Sequence, residues 1–312
     1  MVTTIEDLNA DVLGYALRRL DGRSLAAASC ATAGLRALAA DPDTWRALCL
    51  AEWPSLALPL PGTGGTTSLA AKLPPRRLFA DAFPFPSTDV STPGAGELRL
   101  PGQLVSAVDI YCRGTPVLSR VVETPASSPW FLGSPFRVEA VERNRPAPPG
   151  TTTTAAAPSP EGMELRWVVV DPAGGRAVNV SSRRPVAVDR HWYTGETLVR
   201  FAVVLGGCKF EATVACAEGT GDVAEVSLAV EDADGAAVGG EGTLRLLAAA
   251  MEAPRKGGEG EAEEAKRRYG EFVRRKKGRK ESKARREALV DLCCSAASAV
   301  VVLTCLAAVA LR

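Results

Sequence analysis

The sequence predicts an α+β fold in three parts: an N-terminal module of three helices, an antiparallel β-sandwich-like domain, and a C-terminal transmembrane helix. Three observations carry this. Apolar residues recur at helical spacing over residues 5–53, nine short Val-rich runs separated by turn residues fill residues 98–250, and residues 292–311 hold no charged side chain. With 312 residues, 46% of them hydrophobic and 23% charged, the chain is long enough for one or two domains and apolar enough to bury a core.

The helical module is read from its stripes and breaks. Leu8, Val12, Ala16, Leu17 and Leu20 fall on one face of a first helix, and Asp21-Gly22 ends it. Ser24 is placed to cap a second helix whose apolar positions are Leu25, Ala28, Leu35 and Leu38. Asp41-Pro42 opens a third, with aspartate as cap and proline where its missing N–H costs nothing. Trp45, Leu48 and Cys49 share its face, and Trp53-Pro54 stops it, because a residue before proline is driven from helical geometry. Residues 54–97 are expected as a linker rich in Pro, Gly and Thr, with a short amphipathic helix from Arg76 to Phe83.

The β domain, residues 98–250, is read from runs such as LVSAVDIYC, ELRWVVVD and TLVRFAVVL, with GTLRLLAA as the last strand. Residues 144–162, NRPAPPGTTTTAAAPSPEG, are expected as a disordered insertion between strands. A basic stalk follows at residues 251–288. From Arg255 to Arg286 there are 14 Lys and Arg against 6 Asp and Glu, although the whole chain carries only +1. Residues 292–311 would give about 30 Å of helix, matching a bilayer's hydrocarbon core.

The chemistry-bearing motifs are few. The eight cysteines form no Cys-x-x-Cys pair, and the N-terminus shows no signal peptide, so free thiols in a reducing compartment are expected. With His191 the only histidine, paired-histidine metal or acid–base chemistry is excluded. No nucleophile elbow, zincin helix or phosphate-binding loop is present. Neither a catalytic residue nor a metal or cofactor site is expected.

The ordered set Leu8, Asp11, Val12, Leu13, Leu17, Leu20, Ser24, Leu25, Cys30, Leu35 and Trp45 resembles the F-box. Within that family it is similar to a group of plant F-box proteins with an Asp-Gly-Arg-Ser-Leu turn and a Trp-Pro-Ser ending. The resemblance covers residues 5–53. It implies a three-helix F-box that docks on a Skp1-like adaptor, which in turn holds a cullin, and a role as the non-catalytic subunit that brings an unknown protein substrate to a ubiquitin ligase. Leu8, Val12, Leu13, Leu17, Leu20, Leu25, Leu35 and Trp45 are then the expected adaptor contacts. F-boxes usually carry proline after the first leucine, where this chain has Asn9, a residue able to cap the helix instead.

Two segments keep two readings each. Arg190, His191, Trp192 and Tyr193 form the densest aromatic cluster, either a substrate-recognition surface or a plug at the end of the sandwich core. The segment Lys266–Arg286 is either a nuclear-import or nucleic-acid element or the cytosolic flank of a membrane span. Its place just before the apolar run favours the flank. That predicts a single-pass protein with a cytosolic body and no nucleic-acid partner, the nucleus being the alternative if the run is a buried helix. The competing function is a non-degradative, membrane-anchored sandwich whose F-box-like helices are purely structural.

Overall fold

The computed structural model describes residues 8–61, 67–83, 85–86, 99–143, 160–256 and 260–310. The N-terminal module is built from α1 (Ala10–Leu17), α2 (Gly22–Ala31), α3 (Ala33–Leu38) and α4 (Pro42–Glu52). Asn9 caps α1 by accepting from the Asp11 amide at 2.8 Å. Asp21, not Ser24, caps α2, and it is the Ser24 amide that donates to it, at 2.9 Å. The expected second helix is two helices. Thr32 has extended backbone, and its hydroxyl accepts from the Leu35 amide at 3.2 Å, starting α3 anew. Asp41 caps α4 with Pro42 in its first turn. Two further short helices follow, α5 (Leu69–Lys72) and α6 (Pro75–Ala82).

Eleven strands are described: β1 (Phe85–Pro86), β2 (Gln103–Cys112), β3 (Thr115–Pro125), β4 (Arg137–Val141), β5 (Met163–Asp171), β6 (Arg176–Asn179), β7 (Ala187–Arg190), β8 (Thr197–Leu205), β9 (Cys208–Cys216), β10 (Val223–Glu231) and β11 (Arg255–Lys256). They make an antiparallel four-stranded sheet, β3-β2-β5-β6, an antiparallel five-stranded sheet, β4-β10-β9-β8-β7, and a two-residue ladder of β1 with β11. A short α7 (Pro129–Gly133) precedes β4. The run GTLRLLAA is not a strand but part of α8 (Gly240–Glu252). Its Leu, Ala and Met residues are strong helix formers, and a single β-branched residue, Thr243, gives little support to a strand. Residues 144–159 of the expected insertion, residues 62–66, 84 and 87–97 of the expected linker, and residue 98 of the expected β domain lie outside the described residues.

Two cores share the four-stranded sheet. Between the sheets, Val108, Ile110, Leu165, Trp167 and Val169 meet Phe201, Phe210, Val214 and Leu228, with Leu244, Leu247 and Ala250 of α8 closing the cluster. On the other face of the same sheet, Val105, Ala107, Val168, Val170 and Ala177 pack against Leu17, Leu25, Trp45, Trp53, Leu69 and Phe79. The helices are therefore a third layer seated directly on the sandwich.

The last element, α9 (Glu261–Ala310), is one continuous helix. It starts against β8 and its neighbours, where Phe272 is buried and the Lys209 ammonium lies 5.7 Å from the ring centroids of both Tyr269 and Phe272. Lys276 pairs with Glu231, and Arg279 with Asp234 at 2.9 Å. Beyond these pairs the described side chains of α9 are exposed.

The C-terminus corrects the sequence reading. Among the described residues, no helix is long and apolar enough to cross a membrane. The expected transmembrane segment at residues 292–311 falls with that, as do the tail anchor and the single-pass membrane placement. Uncharged is not the same as strongly apolar. Ala296 and Ala297 contribute little to insertion, Ser295, Ser298 and Thr304 oppose it, and the run is the tail of a helix whose earlier turns are densely charged.

Candidate functional site

The α1 helix has apolar side chains on two faces, and the structure treats them differently. Leu17 is buried among the helices, and Leu13 and Leu20 are half-buried on the same side. Val12 and Tyr15 stand on the opposite face, 56% and 61% exposed, and Leu8, just ahead of the Asn9 cap, extends this exposed stripe at 49%. Arg19, one turn on, lies with its guanidinium 4.5 Å over the Tyr15 ring and donates to the Tyr15 hydroxyl, holding that ring on the surface. Tyr15 was not singled out from sequence, although its spacing from Val12 carries the signal.

Beside this stripe runs an open groove of about 490 Å³ between α1 and α3, lined by Leu8, Leu13, Leu35, Leu38 and the small residues Ala10, Thr32, Gly34 and Ala37. Side chains this small at its floor leave room for an apolar side chain from outside. Of the eight expected adaptor contacts, Leu8, Leu13 and Leu35 line the groove, and Val12 is exposed on α1 outside its lining. Leu25 and Trp45 are elsewhere: they are 0% and 2% exposed, and the Trp45 indole N–H donates to the Ala39 carbonyl at 2.7 Å.

The module is tied to the sandwich by buried polar contacts as well as apolar ones. Asp109 of β2 is fully buried. It accepts from the Ser55 amide at 2.9 Å, the Ser55 hydroxyl at 2.5 Å and the Ser119 hydroxyl at 2.6 Å. Burial pushes its carboxyl up to about 6, against the pull of these donors. Ser55 belongs to the Trp-Pro-Ser ending of the helical module, so this contact joins that ending to the middle of the sheet. Nearby, Arg166 of β5 stacks 4.1 Å over Tyr111, donates to the Glu52 carbonyl at 2.5 Å and faces the Glu52 carboxylate at 3.5 Å. Arg183 approaches the same carboxylate at 3.2 Å. A second tie runs from Asp81 of α6 to Arg176 of β6, at 2.9 Å.

The aromatic cluster lies on the turn between β7 and β8, at one end of the five-stranded sheet. Trp192 and Tyr193 are 90% and 80% exposed, with ring centroids 5.6 Å apart in an edge-on arrangement. They do not plug the core. His191 is half-buried and accepts the Thr194 amide through Nδ1 at 3.2 Å, while Arg190 pairs with Glu218. Arg143 braces the turn through Glu196 at 2.7 Å, and that guanidinium holds the Glu196 carboxyl below its ordinary value.

No family model matches the chain. Similarity to individual proteins is extensive. A probable F-box protein of Arabidopsis thaliana is 35% identical over 301 residues, covering 94% of this chain and 88% of that protein. Another F-box protein of the same plant is 38% identical over 315 residues, covering 90% of this chain and 83% of its own length. The F-box protein GID2 of Oryza sativa subsp. japonica is 44% identical over 52 residues, 17% of this chain, a match about as long as the helical module alone. Since the first two similarities run through the helices and the sandwich alike, the chain belongs to the plant F-box proteins.

Proposed function

We propose that this protein is the substrate-recognition subunit of a Skp1–cullin–F-box ubiquitin ligase and performs no chemistry of its own. The observation that carries the reading is the exposed set Leu8, Val12 and Tyr15 together with the Leu13–Leu35–Leu38 groove, an apolar surface left open on a module whose Leu17, Leu25 and Trp45 are already packed in the core. Such a surface fits an apolar helix of a Skp1-like adaptor, and through that adaptor a cullin. The sandwich then presents a protein substrate, with the Trp192–Tyr193 turn as its reader. The family membership supports the same reading.

The test is capture of a purified Skp1-like adaptor by the full-length chain. Val12→Glu puts a charge on an exposed position and leaves the fold intact, and it should reduce capture at least tenfold, as interface anchors commonly do. Capture at the level of the unmodified chain would overturn the assignment and leave the helices a purely structural role.

A further inference from the structure

Strand β7 is one edge of the five-stranded sheet, bonded to β8 on one side and, among the described residues, to no strand on the other. The register decides which of its groups look outward. The His191 amide donates to the Glu196 carbonyl at 2.7 Å, and at the other end the Val186 amide donates to Arg200, which is already opposite Ala187. Two residues against one is a β-bulge. In an antiparallel ladder, alternate residues turn their backbone groups to opposite sides. Ala187, Asp189 and His191 therefore face β8, and Val188 and Arg190 present their N–H and C=O groups to the open side.

An open edge is a template for another strand, and proteins blunt it with short strands, bulges, charges, proline or a covering segment; β7 is short, with Pro185 and a bulge at its start, which leaves the two residues after the bulge as the usable edge. Here the charged side chains on the strand and its turn are already engaged, while Arg184, just before the strand, is exposed. Asp189 pairs with Arg200 at 2.8 Å, Arg190 with Glu218, and Glu196 with Arg143 at 2.7 Å. From the strand onward, the exposed apolar side chains are Val188, 43% exposed, and the Trp192–Tyr193 pair just past the end of the strand. Backbone groups that a further extended chain could take over from water thus stand beside aromatic anchors, on a strand whose own charges are paired.

We propose that β7 and the Trp192–Tyr193 turn are a docking edge for an extended, uncharged segment of a partner protein, which adds as a strand beside β7 and seats an apolar side chain on the two rings. This names the substrate chemistry for the adaptor reading above and rests on that reading for its cellular meaning. The two open residues of β7 offer four backbone groups, so the rings must supply much of the affinity.

The probe is a phage-displayed library of short random peptides selected on the immobilised full-length chain, with capture of the Skp1-like adaptor measured in parallel. The expected consensus has apolar residues at alternate positions and no charge preference. A labelled peptide from that selection should lose affinity at least about tenfold on Trp192→Ala with Tyr193→Ala, with melting temperature and adaptor capture unchanged. Val188→Pro removes one outward N–H without touching the β8 ladder and should weaken binding similarly, since proline is tolerated on edge strands. Should that variant melt early, methylating the peptide's own amides one at a time replaces it: loss should occur at every second amide. The proposal is overturned if the double variant selects the same peptides, if the consensus has helical spacing, or if no methylated amide matters. A failure of the adaptor reading appears only in the capture arm.

Discussion

Asp109 carries an energetic cost that its surroundings offset only in part. Its three donors fit a carboxylate, yet complete burial raises its pKa from 3.8 to about 6. A group whose folded value lies above its unfolded one adds stability below the unfolded value and loses it as pH rises through the folded value. The native state should therefore weaken between about pH 4 and pH 6 by roughly 3 kcal/mol from this one residue. Asp109→Asn keeps an acceptor for the Ser55 amide and removes the titration, so melting temperatures across that window should run flatter than in the unmodified protein. An unchanged slope would assign the effect to another group. Trp45→Ala is the contrasting case: it removes a 2%-exposed ring that packs 5.4 Å from Phe79, and should cost about 3–5 kcal/mol in denaturant titration. Gly22→Ala belongs to the same contact. A Cβ there would come within 2.1 Å of the Phe79 ring, so even one methyl group should lower the melting temperature measurably.

At the scale of elements, the groove side chains and the core side chains of the helical module predict separable phenotypes. Leu8→Ala with Leu13→Ala strips the groove while leaving Leu17 and Leu25 in the core, so adaptor capture should disappear with little change in far-UV circular dichroism. If the double variant unfolds, the stripe is structural. The sequence carried part of this. Helical spacing found α1 and α4, and alternation found the long strands, because each rule reads a periodicity that one-sided burial imposes. It could not separate Leu8 and Leu13, at the groove, from Leu25 and Trp45, under the module, since all are apolar and only tertiary packing sorts them. Thr32 divided a helix because a side chain bonding its own backbone leaves the apolar pattern intact. For α8, the spacing of Leu244, Leu246 and Ala248 imitates alternation, and the helix-forming composition was the better guide. Four-residue β7 was too short and too charged to register as a strand. At the C-terminus, counting uncharged residues overrated a run diluted by alanine, serine and threonine.

The whole molecule is organised around a sheet that is covered on both faces. Strands β2 and β5 send Val108, Ile110, Trp167 and Val169 to one core and Val105, Ala107, Val168 and Val170 to the other. The run Trp167-Val168-Val169-Val170 is continuous rather than alternating for that reason, as expected of a strand buried on both sides. The helical module and the sandwich consequently share their stabilisation. Removing the helices would bare the second set of side chains and leave Asp109 without its Ser55 donors, a buried acceptor stripped of two of its hydrogen bonds. A substrate held at the far end of the five-stranded sheet would then keep a fixed orientation toward a ligase held at α1, because no hinge separates the two cores at the sheet they share. The measurable consequence is cooperativity. The full-length chain should unfold in one calorimetric transition whose calorimetric and van't Hoff enthalpies agree, and a chain lacking residues 1–83 should be poorly soluble and bind a dye for exposed apolar surface. Two resolved transitions, or a truncated chain that melts cooperatively at the original temperature, would mean that the helices are an independent domain and that substrate orientation is set by something other than the shared sheet.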